Sequence, residues 1–419
     1  MTPKRTTAAS DAGARFVIVT LDAHLASAVA RARGLLARQL PGLELAVHVA
    51  AEWGNDPAAA ERCRQDLAAA DFIVVTQMFV DEQIAEILPT LQARRDACDA
   101  LIGVMSAPEV MRLTRMGGFE MSGEGGAGAW SPATLLRRML GGRRDAAPAA
   151  GSGEKQVRAM RRVPQLLRFI PGAAQDVRAY YQVMQYWTAG TDENVTGLVR
   201  HVVSRYARGP RAPLARAAGP VPEPVSYPEV GVYHPSLPKL GMADDLGALP
   251  RAGSAGTVGL LLMRSYLLAR NTAHYDAVIR ALEARGLRVI AAFAFGLDGR
   301  PAIDRYFRDA GGATRIDALV SLTGFSLVGG PAYNDASAAQ AALASLDVPY
   351  LSMQTLEFQS VGEWQEDVRG LNPLQAALQV AIPELDGATG PLVFGGRCDG
   401  AAGTDAGASA PVAERVERL

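Results

Sequence analysis

His274, Arg264 and Asn271 are the residues of this chain whose types and spacing could do chemistry together. They follow a strand-like run, Thr257–Met263, and end at the start of the next helix. Histidine titrates near neutrality, so His274 can take up a proton or hold a metal ion. Arginine can bind a carboxylate through parallel donors, which is the chemistry open to Arg264. Asn271 supplies both a donor and an acceptor. A second stretch, Thr323–Pro331, carries Gly324, Gly329, Gly330 and Phe325. Glycines let a ligand approach the backbone closely, and a phenyl ring offers it a flat apolar face. If both stretches lie at one sheet edge, His274 is the candidate catalytic group. The candidate binding set is then Arg264, Asn271, His274, Phe325, Gly329 and Gly330. The plainer reading has His274 bonded to its own loop and the glycines only turning the chain; the two readings stand side by side.

The elements that must position these residues are legible around them. Ala318–Leu322 is a short apolar run of the kind a buried parallel strand needs. Thr323–Pro331 then reads as a tight, exposed turn. Asp335 caps an Ala-rich helix ending near Leu346, and Val348–Leu351 is the next strand. Asn372-Pro373 opens a further helix with Leu374, Ala377, Leu378 and Ala381 on one face. Upstream, Tyr275, Val278, Ile279 and Leu282 form a helix face closed by Gly286, and Leu287–Phe293 follows as a strand. Strands near 257, 287, 318, 348 and 391 make residues 257–396 a doubly wound parallel sheet. Gln354, Glu357 and Glu363 fall on a loop at the same edge, where solvent exposure is the plainer expectation. No Gly-Lys-Ser/Thr follows the glycines, so they form no phosphate loop.

Residues 14–125 repeat the pattern. Phe16–Leu21, Leu43–Val49, Phe72–Thr76 and Leu101–Met105 read as strands, with helices over Pro57–Ala69 and Glu82–Ala93 between them. Asp22, His24, Thr76, Gln77, Phe79 and Ser106 fall at the strand ends. Asp22 is most simply a helix cap and His24 a solvated or capping side chain. The first turn lacks GxGxxG, so dinucleotide binding is not expected. Met111, Met116 and Met121 read as packing residues ahead of a soft binding surface. Residues 126–256 form a helical and Pro-rich connector, with a short helix at Pro132–Leu140 and an extended course over Gly209–Pro250. Within it Val177, Tyr180, Tyr181, Met184 and Trp187 make an aromatic stripe better suited to core than to a ligand. Arg158, Arg161, Arg162 and Arg168 suit a solvated basic face. His234, before Pro235, should be extended and surface-accessible. Residues 1–13 read as a disordered N-terminus and 397–419 as a flexible tail. The fold class is therefore α/β: two doubly wound parallel-sheet, flavodoxin- or Rossmann-like domains joined by the connector.

Composition sets outer bounds. At 419 residues the chain can build two or three cores, and 49% hydrophobic residues suit a soluble globular protein. A net charge of −1 provides no basic field for nucleic acid. Cys63, Cys98 and Cys398 lie too far apart to suggest a disulfide framework or a zinc knuckle. No apolar run reaches the length of a transmembrane segment.

Several of these stretches also carry a resemblance. SLTGFSLVGGPA (321–332), LDVPYL (346–351), GLNPLQAALQVAIPELDG (370–387) and PLVFGGR (391–397) resemble the large, porphyrin-binding subunit of magnesium chelatases. The cobaltochelatase large subunit is a more distant match. The segment 264–307, VGVYHPSLP (230–238) and SAPEVMRLTRMGGFEMSG (106–123) agree with the same family. The resemblance covers nearly the whole chain but only the N-terminal portion of much longer proteins. It makes 397–419 a truncation point and the chain an N-terminal fragment, inactive alone. It implies insertion of Mg2+, as substrate metal, into protoporphyrin IX on the route to chlorophyll or bacteriochlorophyll. It also implies ATP hydrolysis on partner subunits, an AAA+ ATPase and its integrin-like companion, and not on this chain. In that setting Arg264 would meet a porphyrin propionate and His274 a pyrrole proton. A cytoplasmic location follows, peripheral at most at photosynthetic membranes. The alternatives are a cobaltochelatase large subunit acting on a corrin precursor, a non-enzymatic tetrapyrrole-binding or partner-docking module, and a two-domain small-molecule sensor.

Overall fold

The computed structural model describes residues 13–54, 56–121, 164, 167, 168, 170–251, 253–330, 333–398 and 407–418. They pack as two compact units. The first holds the described residues up to Asp22, Val29–Thr188 and Asp192–Val225; the second holds Ala23–Ala28, Ala189–Thr191 and Ser226 onward.

In the first unit, β1 (Ala14–Thr20), β2 (Leu43–Val49), β3 (Phe72–Thr76) and β4 (Ala100–Val104) are all parallel, in the order β2-β1-β3-β4. A small hairpin, β5 (Arg115–Met116) and β6 (Phe119–Glu120), pairs antiparallel at the β4 edge. FIVVT and ALIGV are buried along their whole length, because helices cover both faces of a doubly wound sheet. One face packs Val17, Val19, Ile73 and Val75 against Leu67 and Ile87 of the covering helices. The helices Ala173–Ala189 and Asp192–Tyr206 supply further burial. Tyr180 donates its hydroxyl to the Gly103 carbonyl at 3.1 Å and packs its ring 5.6 Å from Phe119. Val177, Tyr181 and Trp187 are buried, and Met184 is half-buried, so the aromatic stripe is core.

The second unit carries an eight-stranded sheet. Its strands are β7 (Val230–Tyr233), β8 (Met242–Ala243), β9 (Thr257–Met263), β10 (Arg288–Ala294), β11 (Ala318–Ser321), β14 (Tyr350–Leu356), β15 (Thr389–Arg397) and β16 (Ser409–Pro411). A separate hairpin, β12 (Gly329–Gly330) with β13 (Tyr333–Asn334), lies between β11 and β14 in sequence. The sheet order is β16-β15-β14-β11-β9-β10-β7-β8. The five strands from β10 to β15 are parallel, and numbered from β9 they run 2-1-3-4-5. The first unit follows the same scheme, 2-1-3-4. Several stretches depart from the sequence reading, among them Ala212–Ala218, which is helical within the expected extended connector. Val230–Tyr233, expected in an extended connector, pairs antiparallel with β10 on one side and with the edge strand β8 on the other. Ser409–Pro411, expected in a flexible tail, pairs with β15. The turn after β11 is not exposed either: Leu322 and Phe325–Val328 are buried.

Candidate functional site

In the second unit, the connections leaving β9 and β11 diverge because the strand order reverses there. That divergence opens a crevice at the carboxyl edge, where open α/β sheets place their ligands. A shallow cleft, partly open to solvent, occupies this position. Its walls are Leu261–Met263 at the end of β9, Ala294 and Gly296–Gly299 after β10, and Ser321, Thr323 and Phe325–Leu327 around the turn.

The turn is shaped from inside the protein. Gly324 adopts φ +71°, a left-handed conformation that glycine enters without a Cβ clash. Ser321 and Thr323 hydroxyls bond each other at 2.9 Å. The Ser326 hydroxyl and the Leu327 N–H both donate to Asp386 Oδ2 at 2.8 Å. Asp386 is buried, and the loss of water raises its pKa while those two bonds oppose the rise. The hairpin supports the opposite wall. Gly329 N–H donates to the Leu297 carbonyl at 2.7 Å, and Gly330 lies so close that an added Cβ would overlap Leu297 Cδ1.

Of the six binding candidates, Phe325 lines the cleft and Gly329 and Gly330 buttress its wall. Arg264, Asn271 and His274 are not brought to it. Arg264 is buried and donates to the carbonyls of Pro228 at 2.7 Å and Tyr227 at 3.1 Å, with its guanidinium 5.5 Å from the Phe295 ring centroid. Its geometry fastens the segment entering β7. Asn271 clips the end of the sheet: its amide donates to Gly407 O at 3.0 Å and its carbonyl accepts from Ser409 N–H at 2.7 Å. His274 is 0% exposed and sits among the rings of Tyr275, Tyr266 and Phe394 at 4.0, 5.1 and 5.5 Å. Neither of its ring nitrogens has a hydrogen-bond partner among the described residues, and burial pushes its pKa down to about 3. The expected bond to its own loop is therefore not made either.

The loop carboxylates are engaged rather than solvated. Tyr266 donates its hydroxyl to Glu357 at 2.6 Å. Glu363 closes a capping box with Ser360 and lies 3.5 Å from Arg397. Gln354 is buried, its amide donating to the Gln379 carbonyl at 3.0 Å. His24 belongs to the second unit, buried and stacked 4.7 Å from Tyr266, and burial lowers its pKa. His234, expected at the surface, is buried between Ser236 and Glu283 at 2.6 and 3.1 Å.

In the first unit, Asp22 accepts the Trp187 indole N–H at 3.2 Å, and burial pushes its carboxyl up to about 6. Thr76 and Ser106 are buried, while Phe79 is exposed. Met116 is core, and Met111 and Met121 are half-buried. Arg168 is exposed; Arg158, Arg161, Arg162 and the helix expected at Pro132–Leu140 lie outside the described residues. Among the described residues no group of three or more His, Cys, Asp or Glu is placed to hold a metal ion. None of their helices is long and apolar enough to cross a membrane.

Asp386 and Leu297 escaped the sequence reading. Asp386 did leave a signal: a carboxylate in the last turn before Gly387 opposes the helix dipole, so its placement needs another reason.

The profile of the CobN/Magnesium Chelatase family matches residues 184–419. The chain belongs to that family. Residues 15–181 match a further profile, a domain of unknown function, DUF3479. The magnesium-chelatase H subunit of Cereibacter sphaeroides is 48% identical over 92% of this chain and 31% of its own length. Its counterpart in Rhodobacter capsulatus is 43% identical over 97% of this chain and 34% of its own. The chloroplastic ChlH subunit of Oryza sativa subsp. indica is 34% identical over 97% and 29%. The chain thus spans about a third of the length of these family members. A cobaltochelatase catalytic subunit from Mycobacterium tuberculosis, 20% identical, aligns with 97% of this chain and 26% of its own at a TM-score of 0.44.

Proposed function

We propose that this chain is part of the porphyrin-binding large subunit of a magnesium chelatase, which inserts Mg2+ into protoporphyrin IX in chlorophyll or bacteriochlorophyll synthesis. The observation that carries this reading is the 48% identity to a magnesium-chelatase H subunit across 92% of the chain. Insertion must strip water from a strongly hydrated cation and remove two pyrrole protons, which calls for an external energy source. In this reading ATP is hydrolysed on an AAA+ partner with its integrin-like companion, in the cytoplasm and peripherally at photosynthetic membranes. The switch-point cleft of the second unit then contacts one edge of the macrocycle. The cleft is shallow and open to solvent, so it can meet at most an edge and not a whole tetrapyrrole. Phe325 supplies the apolar contact, with Gly329 and Gly330 holding the wall. Arg264, Asn271 and His274 support the scaffold around it.

Fluorescence-quench titration of the chain with a soluble porphyrin tests this. Saturable binding that Phe325→Ala weakens about tenfold supports the reading, since such a loss matches one lost aromatic contact. Absence of binding refutes it for these 419 residues.

A further inference from the structure

His234 holds two partners at once, and together they fix where its proton lies. The Ser236 backbone N–H donates to His234 Nδ1 at 3.2 Å, so Nδ1 carries no hydrogen and its lone pair faces Ser236. The Ser236 hydroxyl, 2.6 Å from the same nitrogen, is therefore the donor in that bond. The ring proton is left on Nε2, where Glu283 Oε1 accepts it at 3.1 Å. His234 is 7% exposed, while Ser236 is open to solvent. An accessible hydroxyl thus rests on a buried imidazole that a carboxylate orients. That order of groups activates a serine as a nucleophile.

The loop is built to hold this arrangement. The Tyr233 hydroxyl donates to Asp276 at 2.7 Å, on the same helix, Ala273–Ala284, that carries Glu283. His234 N–H donates to the Gly241 carbonyl at 2.9 Å and closes the loop on itself. Within it Lys239 and Leu240 adopt φ +51° and +69°. A left-handed conformation costs roughly 1–2 kcal/mol for each non-glycine residue. Such strain persists only where the surrounding structure enforces it, and it gathers at functional sites.

Independently of the porphyrin reading, we propose that Ser236 is a nucleophile for acyl transfer, with His234 as its general base and Glu283 as the positioning residue. Ser236 Oγ attacks the acyl carbon while its proton passes to His234 Nδ1. The bond to the leaving group breaks, the leaving group takes that proton, and the acyl group stays on Oγ. An exposed hydroxyl can stabilise little of the charge that develops on the acyl oxygen, so the donor must carry a good leaving group. The substrate class is activated carboxylic esters, and not amides.

The probe is p-nitrophenyl acetate on the whole chain, with acetylation followed site by site by peptide mass spectrometry. Ser254, also exposed, is the internal reference. The readout is the ratio of rates at the two serines, because a merely structural His234 bridge would leave it near unity. Ser236 should react at least about a hundredfold faster than Ser254, the usual contribution of a positioned base. Glu283→Gln should cut that ratio at least about tenfold with circular dichroism unchanged, and His234→Gln should abolish it. Equal rates at the two serines in the wild-type chain would overturn the proposal. A preference for Ser236 that persists in folded Glu283→Gln would also overturn it. Should His234→Gln fail to fold, Glu283→Gln, at a partly exposed position, still decides.

Discussion

Replacing His274 with phenylalanine should make the second unit more resistant to acid. The imidazole is wholly buried among Tyr266, Tyr275 and Phe394, with neither nitrogen hydrogen-bonded and its pKa held at about 3. In the unfolded chain the same group titrates at about 6.5. A histidine whose folded pKa is depressed favours folding above the unfolded value, and that contribution is lost as pH falls through it. At about pH 5 the unfolded chain has gained nearly one proton that the folded chain has not. The loss relative to about pH 8 is about 2 kcal/mol, from about 1.5 pH intervals at about 1.4 kcal/mol each. Phenylalanine removes that term, and also removes two buried unpaired nitrogens worth about 1–3 kcal/mol at any pH. Steric strain from the larger ring offsets part of the second gain. His274→Gln serves as a control that does not titrate but stays polar. It should share the flattened pH response without the gain in stability. Urea unfolding read by pulsed hydrogen exchange of the helix Ala273–Ala284 isolates this unit. If wild type and both variants lose stability in parallel between the two pH values, His274 is not held neutral, and the account of its burial is wrong.

Two further substitutions probe the cleft wall and the first unit. Gly330→Ala should displace Leu297, whose side chain is exposed enough to swing aside, and so lower porphyrin affinity about three- to tenfold with no change in melting temperature; titration beside thermal unfolding checks this. Arg211 holds buried Asp99 through Nε and Nη2 at 2.9 Å each, and Asp71 through Nη1 at 3.0 Å. Its replacement by alanine leaves a buried carboxylate without its cation and should destabilise the first unit by about 2–4 kcal/mol, somewhat below the roughly 3–5 kcal/mol of a fully buried pair because the arginine is partly exposed. Urea unfolding followed at Trp187 measures it, and an Arg211→Ala, Asp99→Asn double variant should regain part of the loss.

The strands and helices around the site were legible because their signals are local. Pro57 opens a helix, Ala-rich spacing carries it to Ala69, and the apolar run Phe72–Thr76 fits only a strand covered on both faces. Val230–Tyr233 was missed because prolines at 228 and 235 surround a run of four residues. Its sheet partners, β10 and the two-residue edge strand β8, are supplied by other parts of the chain, which no local pattern reveals. The site candidates failed for a different reason. Position along the chain places Arg264 and His274 at a strand end, but it does not say which way a side chain turns. For His274 the direction was available in the helix period. His274, Val278 and Leu282 recur every four residues, and all three are buried, so the histidine lies on the core face and not at the cleft. For Asp386 the sign of the helix dipole gave the warning, since a carboxylate at that end is held by something outside its own helix. Applied together, periodicity and dipole exchange the two roles: the histidine joins the core, and the aspartate becomes the group that shapes the turn.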